Sequence, residues 1–155
     1  SLGKIFIGDD DLAPATAKAI MYMLDYYHID LKGKECLVIG RSISVGKPVS
    51  MMLLNKNATV TIAHSRTIDL FDKVKNYDVI ICAVGKPHFL DSKLAKESAI
   101  IIDAGIHYLD DGRIVGDVIP SSGVKMISKV PGGVGTITTM VLMENVLKLY
   151  FMQKE

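Results

Sequence analysis

Only two cysteines occur among the 155 residues, Cys36 and Cys82, and both fall inside apolar, strand-like runs. That pattern excludes a disulfide-stapled scaffold and offers no cysteine pair for a metal, so no metal is expected. The two read as small buried hydrophobes of a reducing compartment, with cytoplasm as the default location. Charge of one sign is also lacking, since 18 Lys and Arg against 17 Asp and Glu leave a net charge of +1. No Lys/Arg run is interleaved with aromatics, so a nucleic-acid partner is not expected. No apolar stretch approaches the roughly 20 residues of a membrane span, and no signal-peptide pattern opens the chain. Internal repeats and low-complexity segments are missing too. The chain opens at Ser1 without an initiator methionine, which suggests a piece of something longer.

Apolar residues make up 49% of the chain and charged residues 23%, the balance of a compact α/β domain. Ala15–Tyr27 puts Ala19, Ile20, Met23, Leu24 and Tyr27 at helical spacing behind Pro14. The runs 35–40, 58–65, 77–85 and 99–106 read as strands, and 124–130 as a shorter one. Helices are expected over 44–57, over 67–76 with Asp69 near its start, and over 91–98. A polar hairpin is expected at 109–118, and a strongly apolar helix at 137–152 closes the chain. Continuous apolar strands alternating with helices indicate a parallel sheet covered on both faces. The expected fold is therefore α/β: one Rossmann-like, doubly wound parallel sheet with helices on both faces, spanning residues 1–155, with a helix flanking it at each end.

The stretch LVIGRSISVGKPV, Leu37 to Val49, nearly spells a dinucleotide loop. Gly40 ends the first strand and Gly46 opens the next helix, with Val45 before it, but Ser42 stands where the second glycine of G-x-G-x-x-G belongs. Backbone N–H groups and a helix N-terminus converge there, as an anion site requires. The competing account is a strand-to-helix turn that needs glycine for its backbone angles alone.

The end of the second strand bears on which nucleotide would bind. An NAD site carries an acid there for the ribose hydroxyls, whereas this chain reads His64-Ser65-Arg66-Thr67. Arg41 and Arg66 with the Ser65 hydroxyl suit a 2′-phosphate, worth roughly 1.5–3 kcal/mol per charged hydrogen bond, or about ten- to hundredfold in favour of NADP. The alternative is two solvated arginines. Gly85 after the third strand would let a flat cofactor approach the backbone, and Ile106 after the fourth offers an apolar surface for a ring. Lys86 and Lys129 read as solvated loop lysines, and His64, His88 and His107 have no partner spacing that suggests metal or triad chemistry. Residues 130–139, VPGGVGTITT, form a backbone-exposing loop whose threonines are placed to cap the following helix.

In order along the chain, VIGRSISVGKP, NATVTIAHSRT, AVGKP, IIDAGI, VGDV and VPGGVG resemble the methylenetetrahydrofolate dehydrogenase/cyclohydrolase family. The resemblance implies NADP-linked oxidation of 5,10-methylenetetrahydrofolate, followed in most members by hydrolysis to 10-formyltetrahydrofolate. It implies cofactor contacts at Gly40, Arg41, Ser42, Ser65 and Ile106. The Pro131–Thr139 loop (Pro131, Gly132, Gly133, Val134, Gly135 and Thr138 among it) would lie by the folate and the nicotinamide. The chain departs from the family pattern at Pro14-Ala15-Thr16-Ala17, where Pro-Cys-Thr-Pro is usual, and at Thr136, where proline is usual. The segment between GDV and VPGGVG is shorter than usual. The family's catalytic lysine, in a Tyr-x-x-x-Lys setting, belongs to an N-terminal domain expected to lie outside this chain, with 1–17 as the second half of a linker. The isolated chain is then expected to bind cofactor without turnover.

Two other functions remain open from the sequence: a shikimate- or amino-acid-dehydrogenase-like NADP domain, and an NADP-binding module without catalysis. Met140, Val141, Met143, Leu147 and Tyr150 wrap the last helix in apolar side chains, where a polar face would be normal. They suggest packing against another domain or a second copy, and a homodimer is expected.

Overall fold

The structure, a computed structural model, describes residues 2–154; the terminal positions Ser1 and Glu155 of the expected domain lie outside the described residues. Five parallel strands form the central sheet: β1 (Glu35–Ile39), β2 (Thr59–Ala63), β3 (Val79–Cys82), β5 (Ile100–Asp103) and β9 (Met126–Ile127), in the order β2-β1-β3-β5-β9. Two small pairs sit beside it. β4 (Leu90–Asp91) runs parallel to β8 (Val118–Ile119), and β6 (His107–Tyr108) forms the expected hairpin with β7 (Ile114–Val115). The doubly wound arrangement read from the sequence is present. Its strand order changes direction between β1 and β3, the crevice where such sheets bind ligands.

One face of the sheet carries α1 (Leu2–Phe6), α2 (Ala15–Tyr26), α3 (Gly46–Asn55) and α5 (Val134–Met152), packed on Cys36, Val38, Val79, Ile81, Ile100 and Ile102. The other face, built on Leu37, Ile39, Ile80, Cys82 and Ile101, is covered more thinly. There the expected helix 67–76 shrinks to α4 (Leu70–Lys73) and a 3-10 turn, and 91–98 to a 3-10 turn at Ser92–Leu94 capped by the Asp91 carboxylate. Leu70, Val74, Leu90 and Val118 supply the apolar cover in place of a full helix. Asp69 sits at φ 54° and makes no cap, which explains why the helix starts late. The segment 2–6 is helical where the sequence suggested only linker.

β3 and β5 are buried along their whole length, as continuous apolar runs require, whereas β2 is an edge strand that exposes Thr59, Thr61 and Ile62. Burial pushes the Cys36 thiol up to about 12 and the Cys82 thiol higher still, so both are core hydrophobes as expected. α5 begins at Val134, inside the glycine loop. Thr136, Thr138 and Thr139 therefore lie within the helix, and Thr138 donates to the Val134 carbonyl (2.9 Å) instead of capping it. No described helix is long and apolar enough to cross a membrane.

Candidate functional site

Register brings the expected site residues to one edge. Ile39 pairs with Ala63 and with Cys82, and Cys82 with Asp103, so the parallel strands end level. The next residues are stitched sideways as well: Gly40 N–H donates to Ala63 O (2.8 Å), Ala83 N–H to Ile39 O (2.8 Å) and Ala104 N–H to Cys82 O (2.9 Å). The loops that follow β1, β2, β3 and β5 therefore leave from a single hydrogen-bonded line.

At the first strand end, Gly40 has φ +126°, and a Cβ there would lie 2.2 Å from Ala83 O. A Cβ on Gly46 would lie 2.2 Å from Gly40 O. These glycines let α3 start directly on top of β1, a close approach that any side chain would prevent. Ser42 accepts from Val45 N–H (3.1 Å) and Gly46 N–H (3.3 Å) through its hydroxyl, so part of the helix N-terminus is already occupied. The N–H groups of Arg41, Ser42, Ile43 and Ser44 donate to no protein acceptor among the described residues, and all four residues are exposed. They form a donor-rich rim able to meet a phosphate.

Beside it, residues 64–67 turn tightly: Thr67 Oγ1 accepts from His64 N–H (2.9 Å), His64 Nδ1 from Arg66 N–H (3.2 Å), and His64 O from Thr67 N–H (2.9 Å). Ser65 and Arg66 are exposed, and neither Arg41 nor Arg66 has an ion-pair partner among the described residues. His64 is thus a loop-forming histidine.

The ends of β3 and β5 are organised by carboxylates that the spacing did not reveal. Asp117, fully buried, accepts Val84 N–H (2.6 Å) and Gly85 N–H (2.9 Å) on Oδ2 and bonds His107 Nε2 (2.7 Å) on Oδ1. Asp103 accepts Gly105 N–H (2.8 Å) and Asp117 N–H (3.0 Å) on Oδ1 and Val118 N–H (2.9 Å) on Oδ2. Burial raises the Asp103 carboxyl above the ordinary aspartate range, against the pull of those N–H donors. His107 thus has a carboxylate partner ten residues on across the hairpin, a structural pair that the sequence spacing did not point to. The two carboxylates leave no room for side chains opposite them: a Cβ on Gly105 would fall 2.2 Å from Asp117 Oδ1, and one on Gly116 1.9 Å from Asp103 Oδ2.

A cleft of about 420 Å³ opens beyond β5, lined by Ile106 on one wall and by Pro131, Gly132, Gly133, Val134, Gly135 and Thr138 on the other. Gly133 has no room for a Cβ, Lys129 O lying 2.2 Å from its place, whereas Gly135 faces open space. Thr136, which departs from the family pattern, and Thr16, which stands between the departures at Ala15 and Ala17, line the same cleft. Gly40, Arg41, Ser42, Val45, Gly46, Ser65, Arg66 and Gly85 lie outside its lining. The structure thus divides the expected site into a cationic, donor-rich end at β1–β2 and an apolar cleft at β5–α5, joined along one sheet edge.

Residues 14–154 match the family described as tetrahydrofolate dehydrogenase/cyclohydrolase, NAD(P)-binding domain. The bifunctional protein FolD of Dictyoglomus turgidum is 45% identical over 151 residues, covering 96% of this chain and 53% of that protein. Among solved structures, the bifunctional FolD of Campylobacter jejuni superposes with a TM-score of 0.84 at 43% identity, covering 88% of this chain and 49% of that one. The Trypanosoma brucei methylenetetrahydrofolate dehydrogenase-cyclohydrolase, solved with NADP and an inhibitor, gives a TM-score of 0.91 at 32% identity, covering 99% and 56%. The chain spans about half the length of the relatives it matches. By its motifs, its fold and these matches, the chain belongs to the tetrahydrofolate dehydrogenase/cyclohydrolase NAD(P)-binding domain family.

Proposed function

We propose that this chain is the cofactor-binding domain of an NADP-dependent 5,10-methylenetetrahydrofolate dehydrogenase, and that the intact enzyme also hydrolyses the methenyl product. One observation carries the choice of cofactor: the end of β2 presents Ser65 and Arg66, with Arg41 across the loop and both arginines unpaired among the described residues, where an NAD site would present an acid. In this reading Arg41, Ser65 and Arg66 hold the 2′-phosphate, and the Arg41–Ser44 amides meet the pyrophosphate. Gly85 and Ile106 flank the nicotinamide half, and Pro131–Thr138 lie by the folate.

The bound cofactor supplies a hydride acceptor. The chain's own part is positioning: the strand-end line is hydrogen-bonded from strand to strand, and Gly132, Gly133 and Gly135 put backbone without side chains on the cleft wall. Cyclohydrolysis requires a positioned water and a proton carrier. The family resemblance gives that role to a lysine of a separate domain, so the isolated chain binds cofactor and turns nothing over. Purine and amino-acid biosynthesis are the routes such an activity would feed, and cytoplasm is the proposed compartment. The apolar outer face of α5 supports assembly with another domain or a second copy as a homodimer.

Calorimetric titration of the chain with NADP and NAD, beside Arg41→Ala, tests the proposal. NADP is expected to bind at least about tenfold tighter than NAD, with the mutant falling towards the NAD value. Equal affinities for the two in the wild-type chain would overturn the assignment of the arginines.

A further inference from the structure

Between the two halves of the proposed site, one buried carboxylate holds both walls. The Asp117 side chain is inaccessible to solvent, and its Oδ2 gathers the consecutive N–H groups of Val84 and Gly85, a two-amide nest made possible by Gly85 at φ +74°. The backbone of the same segment fastens the remainder of the loop after β3. Gly116 O accepts from His88 N–H (3.1 Å), and Asp117 O from Leu90 N–H (3.0 Å).

On its other side the carboxylate is gripped by the segment that carries Ile106. Gly105 packs so closely that a Cβ would overlap Oδ1, and His107 Nε2 returns to the same oxygen at 2.7 Å. Ile106, half exposed and lining the cleft, is thus the crest of a three-residue arch whose two feet rest on one oxygen atom. Gly105 supplies contact without a side chain, so the His107 hydrogen bond is the arch's polar tie to that carboxylate. The imidazole is four-fifths buried, which limits competition from water.

We infer that His107 is a positioning residue for the cofactor: through Asp117 it holds the Ile106 crest at a set distance from the Gly85 turn. The inference rests on the reading of this edge as an NADP site. Removing the imidazole frees the arch on one side and leaves Oδ1 of a buried carboxylate without its donor. The nicotinamide half of the site should loosen, while the arginine end, on β1 and β2, keeps its geometry.

The experiment is a titration of the full chain and of His107→Leu, His107→Ala and His107→Gln with two ligands, NADP and 2′,5′-ADP, the latter reaching only the arginine end. For Leu and Ala the expected result is an about tenfold loss of NADP affinity with 2′,5′-ADP changed by less than about twofold. The Gln variant, whose terminal amide can donate from near the Nε2 position, should recover NADP binding to within about threefold. An unchanged NADP affinity in both Leu and Ala variants overturns the inference, as does an equal loss for both ligands. A wild-type chain that binds neither ligand overturns instead the NADP reading beneath it. Amide shifts of Val84 and Gly85, read by NMR without any ligand, should move in the Leu and Ala variants and return in Gln. Shifts that stay in place in all three would show that Asp117 clamps the Gly85 turn without help from His107.

Discussion

Gly46 and Gly135 both sit at a helix start beside the proposed site, yet replacing each with alanine should have opposite effects. At Gly46 the new methyl would lie 2.2 Å from Gly40 O, 2.6 Å from Gly40 C and 2.8 Å from Arg41 N. All three are backbone atoms of a turn already tied to β2 and β3, so no side chain can swing away. The first turn of α3 must instead lift from β1 by about an ångström, disturbing Val49 and Ser50, which are fully buried. Overpacking of this kind costs about 1–3 kcal/mol. For a domain of this size each kcal/mol moves the melting temperature by about 2–4 °C, so Gly46→Ala should melt about 2–12 °C lower. At Gly135 nothing lies within 4 Å, and the position is already helical. Alanine there gains up to about 1 kcal/mol of helix propensity and should raise the midpoint by as much as about 4 °C. Scanning calorimetry on the two variants checks both signs. A Gly46→Ala chain that melts within a degree of wild type would show that the approach of α3 to β1 is slack, and the argument for a rigid phosphate loop would go with it.

Two further outcomes follow from other parts of the structure. Lys96, bonded at 2.6 Å, and the Glu35 N–H hold the Asp78 carboxyl below its ordinary range, so its contribution is present above that range and is lost as pH falls through and below it. Asp103 has the opposite sign, because burial raises it: what it contributes is full at acid pH and lost as pH rises through its elevated folded value. Asp78→Asn should therefore lower the melting temperature slightly at neutral pH, the pair being part-exposed and worth under about 1 kcal/mol. The difference should shrink as pH falls through and below the ordinary aspartate range, and one that stays constant over that fall in a melting series would contradict the ion-pair account. On α5, Met140, Met143, Val146, Leu147 and Tyr150 are exposed by half or more, a patch expected to drive self-association. Leu147→Asp should shift the chain towards monomer in sedimentation velocity, and a wild-type chain that is monomeric at high concentration would refute it.

The sheet was legible because parallel strands buried on both faces announce themselves as unbroken apolar runs, as VIIC and IIID do. Helix α2 was legible from spacing and from Pro14. The thin face was not, since the polar segments 67–76 and 91–98 carry helix-compatible residues but too few apolar ones to make a full helix the best cover. Leu70 and Val74 close that face from short helical turns and Leu90 from the two-residue strand β4. The start of α5 was misjudged for a related reason. Glycine at 132 and 133 suggests loop, yet the chain is helical from Val134, and Thr138 turns its hydroxyl back onto the helix. Arg41, Arg66 and Ile106 could be placed from strand ends alone, because register in a parallel sheet brings consecutive ends together. The Asp103–Asp117–His107 assembly could not. Asp103 and Asp117 lie 14 residues apart with a hairpin between them, and no local period links their positions.

The departure of the first loop from the G-x-G-x-x-G pattern has a structural reason. The second glycine of that pattern lets a pyrophosphate approach a helix N-terminus whose N–H groups are free. Here Ser42 stands in that place and spends its hydroxyl on the Val45 and Gly46 amides, so the chain caps its own helix. An anion arriving at this edge meets the Arg41–Ser44 amides and the two arginines before it meets the helix end. In the proposed NADP reading, phosphate recognition is moved outward, from the helix dipole to side-chain charge, which is screened by salt and tuned by residue choice. That shift favours a cofactor bearing an extra, exposed phosphate over one that does not. The same reading leaves the strand-end scaffold to hold the nicotinamide end of the cofactor, which bears no phosphate. Among the described residues the buried acids are Asp103 and Asp117, and in that reading their hydrogen bonds beneath Gly85 and Ile106 supply the rigidity.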